Sequence, residues 1–380
     1  MSPPVPVPTD LRVLHIGAGK YRPFDREHVT YGIWRELALG FRSYRVIARS
    51  TGAPADWTDG NLRVTLVRSW TNREAEFLIT QFLAVPTCLR ERPNVIVCQS
   101  PVAGGLAALF IAYLTDGRIL SELHSDIYFD TPKASLKSWI YRQISKLALR
   151  GATSIRVLSP GMRKQLQRDY GEPLAKISHV LPPRVNLSLF VRKNSSLRKT
   201  TEPLSLIMVG SAVRRKGQLR LIEALADISF PLDLNLVGEG PDLAECQRRA
   251  AISASSLNII CHGAVRPDAL PALLAQAHVF VMYSDSEGTP RAIMEAMAVG
   301  LPVVTTNSGF CSDILEHGSE GFVLGPDPDR EIVGVLERLR TDLGLAERMG
   351  AAAQARARRD FDSVRLFEEY RRLIAETAQR

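Results

Sequence analysis

Short runs of apolar and β-branched residues recur along this chain, and longer stretches with helical spacing separate them. In the first half the runs fall at 11–16, 44–48, 62–67, 94–98, 118–123 and 154–158. In the second half they fall at 204–209, 232–237, 257–261, 279–282, 302–305 and 321–324. Runs this short and this continuously apolar predict strands buried on both faces, with the intervening amphipathic stretches as helices that cover them. Such alternation builds strand-helix-strand units around parallel sheets. The pattern breaks at 191–203, where Arg192, Lys193, Asn194, Ser195, Arg198 and Lys199 show no apolar periodicity. The expected architecture is therefore α/β. Two doubly wound, Rossmann-like domains span 1–190 and 204–360, a linker spans 191–203, and a last helix at 361–380 carries Phe361, Leu366, Phe367, Tyr370 and Leu373 at helical spacing. Ligands of doubly wound sheets bind beyond the carboxyl ends of the strands, so the site is expected in a cleft where the two domains face each other.

Length and composition agree with this division. A chain of 380 residues with 45% hydrophobic content can bury two cores of ordinary size. The five cysteines, Cys88, Cys98, Cys246, Cys261 and Cys311, form no Cys-x-x-Cys pair and no zinc-like spacing. That argues against a disulfide framework or metal site and for a reducing, cytoplasmic compartment. The start, Met1-Ser2-Pro3-Pro4-Val5-Pro6-Val7-Pro8, lacks the basic and apolar regions of a secretory signal. The longest apolar stretch, 102–114, contains Gly104 and Gly105 and is too short to span a bilayer, so a buried helix is expected there.

The richest chemistry lies in Tyr283-Ser284-Asp285-Ser286-Glu287-Gly288-Thr289-Pro290-Arg291-Ala292-Ile293-Met294-Glu295-Ala296-Met297-Ala298-Val299-Gly300-Leu301-Pro302-Val303-Val304. Thr289 reads as an N-cap, Pro290 as the first helical residue and Gly300-Leu301-Pro302 as the stop, which predicts a helix of about three turns. Ala292 stands where a capping box would place Glu or Gln, so the first-turn amides remain available to an anion such as a diphosphate. Glu287 lies just before the helix and Glu295 inside it, at most ~12 Å further along at the helical rise. Two carboxylates flanking a phosphate-binding helix start would suit a sugar near Glu287 and a ribose near Glu295. Glu295 on its own reads more simply as a solvated position on an amphipathic helix.

Together, Glu-Gly-x-Pro at 287–290, the second Glu at 295, Glu-Ala-Met-Ala-x-Gly at 295–300 and x-Pro-Val-Val at 301–304 closely resemble the carboxy-terminal signature of family 4 retaining glycosyltransferases, which have the GT-B fold. The resemblance covers the second half of the chain well and the first half loosely. It implies that Val209-Gly210-Ser211-Ala212-Val213-Arg214-Arg215-Lys216-Gly217 neutralises a donor diphosphate. Lys216 matches the family lysine. Ser211 stands where the family often has arginine, leaving Arg214 or Arg215 to supply that charge, with Arg215 preferred. Val237-Gly238-Glu239-Gly240-Pro241 resembles a family turn, and Gly263-Ala264-Val265-Arg266 resembles the segment whose backbone reads the nucleobase. His124 alone would more often be structural, but the resemblance places it at the donor sugar, with Asp126 a weaker candidate. Gly17-Ala18-Gly19-Lys20 takes the place of the family's glycine-rich acceptor-side loop without its adjacent glycine pair. The last helix would cross back onto the first domain.

The implied activity is a hexosyltransferase-type, metal-independent, retaining transfer from a nucleoside diphosphate sugar to a glycan or lipid-linked acceptor, as in bacterial envelope polysaccharide assembly. His124, Glu287 and Lys216 form the catalytic set. Gly210, Ser211, Arg215, Lys216, Gly238, Val265, Arg266, Glu287, Gly288, Thr289, Pro290, Arg291 and Glu295 hold the donor, while Gly17, Gly19 and Asp126 lie on the acceptor side. No cofactor beyond the donor and no metal are expected. Asp285-Ser286-Glu287 resembles an Asp-x-Asp metal motif, but it precedes a helix in the wrong context.

Charge adds a further expectation. Residues 1–200 hold 29 Lys and Arg against 15 Asp and Glu, and residues 201–380 hold 19 against 25. Within 134–150, Lys137, Arg142, Lys146 and Arg150 alternate with Trp139, Ile140, Tyr141, Ile144 and Leu147. Packing of this helix on its own sheet is the simpler reading. The alternative is docking of the N-terminal domain on an anionic membrane, peripheral to the inner face of the plasma membrane. Basic charge alone is nonspecific, and no nucleic-acid partner is expected. The competing functions are a nucleotide-sugar epimerase of the same architecture and a non-catalytic membrane- or nucleic-acid-binding protein.

Overall fold

The computed structural model describes residues 9–26, 28–69, 82, 85–124, 135–190 and 202–380. The chain divides into two compact units, Met1–Leu181 with Val364–Arg380, and Pro182–Ser363.

The first unit is built on a sheet of β1 (Thr9–Tyr21), β2 (Phe41–Ser50), β3 (Ala55–Asp59), β4 (Leu62–Arg68), β5 (Val95–Cys98), β6 (Arg118–Leu123), β7 (Ser154–Val157) and β8 (Ser178–Val180). Its order is β3-β4-β2-β1-β5-β6-β7-β8. All neighbours are parallel except β3, which pairs antiparallel with β4. Neither β3 nor β8 is visible as an apolar run. β3 is a half-exposed edge strand carrying Asp56 and Asp59, and β8 has only three residues. The first strand also runs further than expected. Gly17 to Lys20 is not a loop but part of β1, where the register passes from Ile16 opposite Ile47 to Lys20 opposite Arg49 and so bulges.

Val13, Val46, Val64, Val97 and Leu120 form the centre of this core, and the final helix, Ser363–Gln379, adds Leu366, Tyr370, Leu373 and Ile374 to it. The stretch expected to be a buried helix is only half so. Helix Gly105–Thr115 buries Gly105, Ala107, Ala108 and Ile111, while Phe110, Tyr113 and Leu114 are exposed. A Cβ on Gly105 would lie 2.4 Å from that of Ala148 in helix Leu136–Arg150, so close helix packing selects the small residues for one face and leaves the large ones outward. Among the described residues, no helix is long and apolar enough to cross a membrane.

The second unit holds β9 (Leu204–Val209), β10 (Leu232–Val237), β11 (Leu257–Gly263), β12 (Val279–Met282), β13 (Val303–Thr306) and β14 (Gly321–Leu324). All are parallel, in the order β11-β10-β9-β12-β13-β14. This is the doubly wound order in which the winding reverses between the first and fourth strands. The boundary lies earlier than the expected linker, of which 191–201 falls outside the described residues. Residues 182–190 join the second unit because the Val185 N–H donates to Phe361 O at 2.8 Å, Ser363 N donates back to Val185 O at 3.0 Å, and Val185 and Phe190 enter the second core.

Candidate functional site

In the second unit, β9 and β12 are neighbours whose following segments leave in opposite directions, which opens a crevice at their carboxyl ends. Two loops line it, 210–217 after β9 and 283–290 after β12. They are stitched together. Asp285 N donates to Arg215 O at 2.8 Å, and the Arg215 guanidinium reaches Ser286 O at 3.4 Å. The Tyr283 carbonyl packs so closely on Gly217 (φ 76°) that a Cβ there would lie 2.2 Å from it.

This stitching brings Lys216 Nζ to 2.5 Å from Glu287 Oε1, with the two side chains 14% and 6% exposed. The same carboxylate oxygen accepts from Ser284 Oγ at 2.6 Å, and Thr306 Oγ1 donates to Ser284 O at 2.6 Å. A third loop, after β13, closes over the back of Glu287. Phe310 N donates to Gly288 O at 3.2 Å, and a Cβ on Gly309 (φ 58°) would lie 1.7 Å from Glu287 O. Glu287 is thus held from three loops, its carboxylate by Lys216 and Ser284 and its backbone by the loop after β13, with one largely buried cation beside it.

Helix Arg291–Val299 begins next to this pair. Pro290 is its N-cap, and among the described residues no side chain caps the first-turn amides. Thr289 is not the N-cap, because the helix starts one residue later than its sequence suggests; its buried Oγ1 has no hydrogen-bond partner among the described residues. Pro290 therefore serves as the cap instead of the first helical residue. Gly300 ends the helix in the left-handed conformation, with φ 87°. Glu295 is buried, not solvated, and accepts from Arg291 Nε at 3.0 Å one turn earlier. Burial pushes the Glu295 carboxyl above its usual range despite this arginine.

Gly210, Ser211, Arg215 and Lys216 share the first loop, Ser211 and Arg215 being exposed, and Gly288 sits in the second. Arg214 is exposed in the same 3-10 turn, Arg214–Lys216. Of the two arginines, Arg215 is the one bonded to the Glu287 loop. Gly238 lies beside Gly210, which donates to Val237 O at 2.9 Å, and its own N–H donates to Gly263 O at 2.8 Å. Val265 is half-buried, while Arg266 is exposed and paired with Asp268 at 3.0 Å. In the first unit, His124 follows β6 and meets Glu122 at 3.0 Å. Gly17 and Gly19 lie in the β1 bulge, and Asp126 is outside the described residues.

The sequence reading missed several supporting groups. Ser284 is one. Another is Arg220, which holds Asp285 at 3.1 Å and Asp329 at 2.9 Å while Tyr283 OH donates to Asp329 at 2.6 Å, pinning the base of the 283–290 loop. Asp285 and Glu287, the pair reminiscent of a metal motif, are thus each engaged by a cation. Glu122 is a third omission, and strand alternation could have found it, because residues two apart share one face.

Chemically, a lysine, an arginine and free helix-start amides around one crevice can stabilise an oxyanion such as a diphosphate leaving group. Glu287 and Ser284 can meet hydroxyls. Comparison with known proteins agrees with such chemistry. Residues 191–356 match the model of the glycosyl transferases group 1 family, and residues 27–183 match the glycosyl transferase 4-like domain. A GDP-mannose-dependent alpha-(1-6)-phosphatidylinositol monomannoside mannosyltransferase of Mycobacterium tuberculosis is 31% identical over 237 residues, 57% of this chain and 61% of the relative. The sulfoquinovosyl transferase SQD2 of Arabidopsis thaliana is 26% identical over 279 residues, 70% of this chain and 53% of the relative. The chain thus spans between half and two thirds of the length of these curated relatives. Among solved structures, a sucrose-phosphate synthase from Thermosynechococcus elongatus superposes with TM-score 0.78 at 19% identity, covering 96% of this chain and 100% of that one. HepE of Anabaena, in complex with UDP-glucose, gives 0.73 at 20% identity, covering 97% and 99%. These likenesses establish the fold, that of GT-B glycosyltransferases.

Proposed function

The chain belongs to the glycosyl transferases group 1 family, and on that premise we propose that it moves a sugar from a nucleoside diphosphate sugar to a hydroxyl of a glycan or lipid-linked acceptor. One observation carries the reading: Lys216 and Glu287 meet in the crevice between β9 and β12, next to an uncapped helix start. Doubly wound sheets bind nucleotides at this place.

In this scheme Lys216, Arg215 and the amides at the start of helix Arg291–Val299 hold the diphosphate. As the anomeric carbon–oxygen bond breaks, its electron pair leaves with the phosphate, and these groups stabilise the charge that develops. Glu287 orients the sugar hydroxyls, Glu295 lies on the ribose side and His124 meets the donor sugar. The acceptor oxygen bonds to the anomeric carbon and passes its proton to an oxygen of the departing diphosphate. The cations already supply neutralising charge, so the transfer needs no metal, and retention of configuration follows from the family resemblance. The GDP-mannose dependence of the mycobacterial relative and the UDP-glucose held by HepE support a nucleotide-sugar donor. The phosphatidylinositol monomannoside named for the former supports a glycolipid acceptor.

The enzyme works at the cytoplasmic face of a membrane in this proposal. Helix Leu136–Arg150 turns Leu136, Trp139, Ile140 and Leu147 to the outside, with Trp139 59% exposed, and sets Lys137, Arg142 and Arg150 around them. An apolar stripe in a cationic frame fits an anionic lipid surface.

A thermal-shift panel of UDP-, GDP- and ADP-sugars, followed by product analysis with and without acceptor, tests the activity. One donor is expected to stabilise the protein and to yield a glycosylated acceptor. Conversion of the donor sugar without acceptor would point to the epimerase. No stabilisation by any nucleotide sugar would overturn the reading.

A further inference from the structure

We propose that Glu122, Arg156 and Tyr370 form a positioning array that holds the His124 ring with Nε2 as hydrogen-bond donor and Nδ1 as the nitrogen left for substrate. The inference rests on the reading of His124 as the residue that meets the donor sugar.

Glu122 lies near the carboxyl end of β6 and His124 directly after it, two residues on, and the contact between them puts both on one side of the strand end. The Glu122 side chain is 1% exposed, and an isolated carboxylate there would be very costly to bury. Its Oε1 accepts from Arg156 NH1 at 2.7 Å and from the hydroxyl of Tyr370. Arg156 also donates to Leu181 O at 3.1 Å, and its guanidinium lies 4.6 Å from the centre of the Tyr370 ring. Two neighbouring strands and the final helix, whose Tyr370 is 248 residues from Glu122, therefore close around one oxygen. That cage would satisfy a purely structural carboxylate.

The second oxygen does something else. Oε2 stands 3.0 Å from His124 Nε2, and the imidazole is 42% exposed. An ionised carboxylate only accepts, so Nε2 carries the proton and the two ring nitrogens become distinct. Nδ1 is then an acceptor for a sugar hydroxyl while the ring is neutral, and a donor when it is cationic. A long support reaching back to the final helix fixes which nitrogen that is. Glu122, Arg156 and Tyr370 act through His124 and are positioning residues.

Two measurements test this. In the nucleotide-free protein, nitrogen-15 spectra of the imidazole rings, assigned with His124→Ala, are taken at a pH where the rings are neutral. The expected result is the Nε2–H tautomer for His124, with a mixture of tautomers in Glu122→Gln; an Nδ1–H ring in the wild type overturns the proposal. Kinetics supply the second test. Glu122→Gln and Tyr370→Phe are expected to lower kcat, by about tenfold for the former, and to have no further effect in a His124→Ala background. Full additivity in that background would assign both residues to folding alone and overturn the proposal. Tyr370→Phe removes only a hydroxyl and keeps the ring beside Arg156, so it serves if Glu122→Gln fails to fold. If the wild-type protein transfers no sugar, the function proposed above fails, and the ring spectra still decide the array.

Discussion

Lys216 Nζ and Glu287 Oε1 are 2.5 Å apart, joining the loop after β9 to the loop after β12 in one largely buried ion pair. Without ligand, each satisfies the other. An arriving diphosphate must share Lys216 with a carboxylate that repels it, so Glu287 contributes to sugar positioning at the expense of phosphate affinity.

Glu287→Gln is therefore expected to separate binding from turnover. It removes the competing charge and keeps an acceptor for Ser284. Calorimetry with a nucleoside diphosphate that lacks sugar should show binding tighter by up to about tenfold, the scale of one charge-assisted hydrogen bond, while transfer falls severely. Weaker binding of the bare diphosphate would contradict this competition.

The backbone around the pair has no room for a methyl group. Gly217→Ala and Gly309→Ala would each force a Cβ against a carbonyl, at 2.2 Å and 1.7 Å, from left-handed backbone. Each is expected to cost on the order of 1–3 kcal/mol, read as a lower urea midpoint. Gly334→Ala is the control, because nothing lies within 4 Å of that site inside helix Pro328–Thr341, and it should be neutral or stabilising by about 0.5–1 kcal/mol.

Glu122 makes the first unit acid-sensitive. Burial alone would raise its carboxyl, but Arg156, then His124 and His15, outweigh burial and hold it well below its ordinary value of 4.5. A depressed folded-state value means the stabilisation is complete above the ordinary value and is lost as pH falls through the folded one. Urea titrations below pH 4.5 should show stability dropping with pH, at up to about 1.4 kcal/mol per pH unit from this group, with a shallower slope in Glu122→Gln. An unchanged slope in the variant would remove Glu122 as the cause.

Much of this was legible in the chain. In the second unit β12, β13 and β14 are short runs covered on both faces and β10 alternates Leu-Asp-Leu-Asn, and these patterns located all six strands to within about two residues of their ends. Lys216 and Glu287 were both readable because each stands beside a glycine or proline that marks a turn after a strand. What periodicity could not report was edge structure and partnership across the sequence. β3 pairs through one neighbour and so lacks an apolar signature. Residues 182–190 belong with the second unit through the Val185–Phe361 bond, which spans most of that unit. Thr289 looks like a cap because capping preferences are local, while the helix begins one residue later, after Pro290. The Glu122–Tyr370 contact joins the middle of the chain to its end and left no trace in spacing.

Helix Leu136–Arg150 gives a surface prediction. Trp139→Glu places a charge in the exposed stripe without touching the core. Cosedimentation with anionic vesicles at low salt should retain the wild type and lose most of the variant, and high salt should weaken the wild type as well. Equal sedimentation of both proteins would detach this helix from membrane binding.

Binding of a nucleoside diphosphate by Lys216 in the crevice between β9 and β12 is the step on which the proposed transfer depends. Calorimetric titration of UDP, GDP and ADP into the wild type and Lys216→Met measures this directly. At least one nucleotide should bind the wild type and bind the variant about tenfold or more weakly, as expected for loss of a charge-assisted contact. Identical affinity in the two proteins, or no binding of any of the three to the wild type, would contradict it.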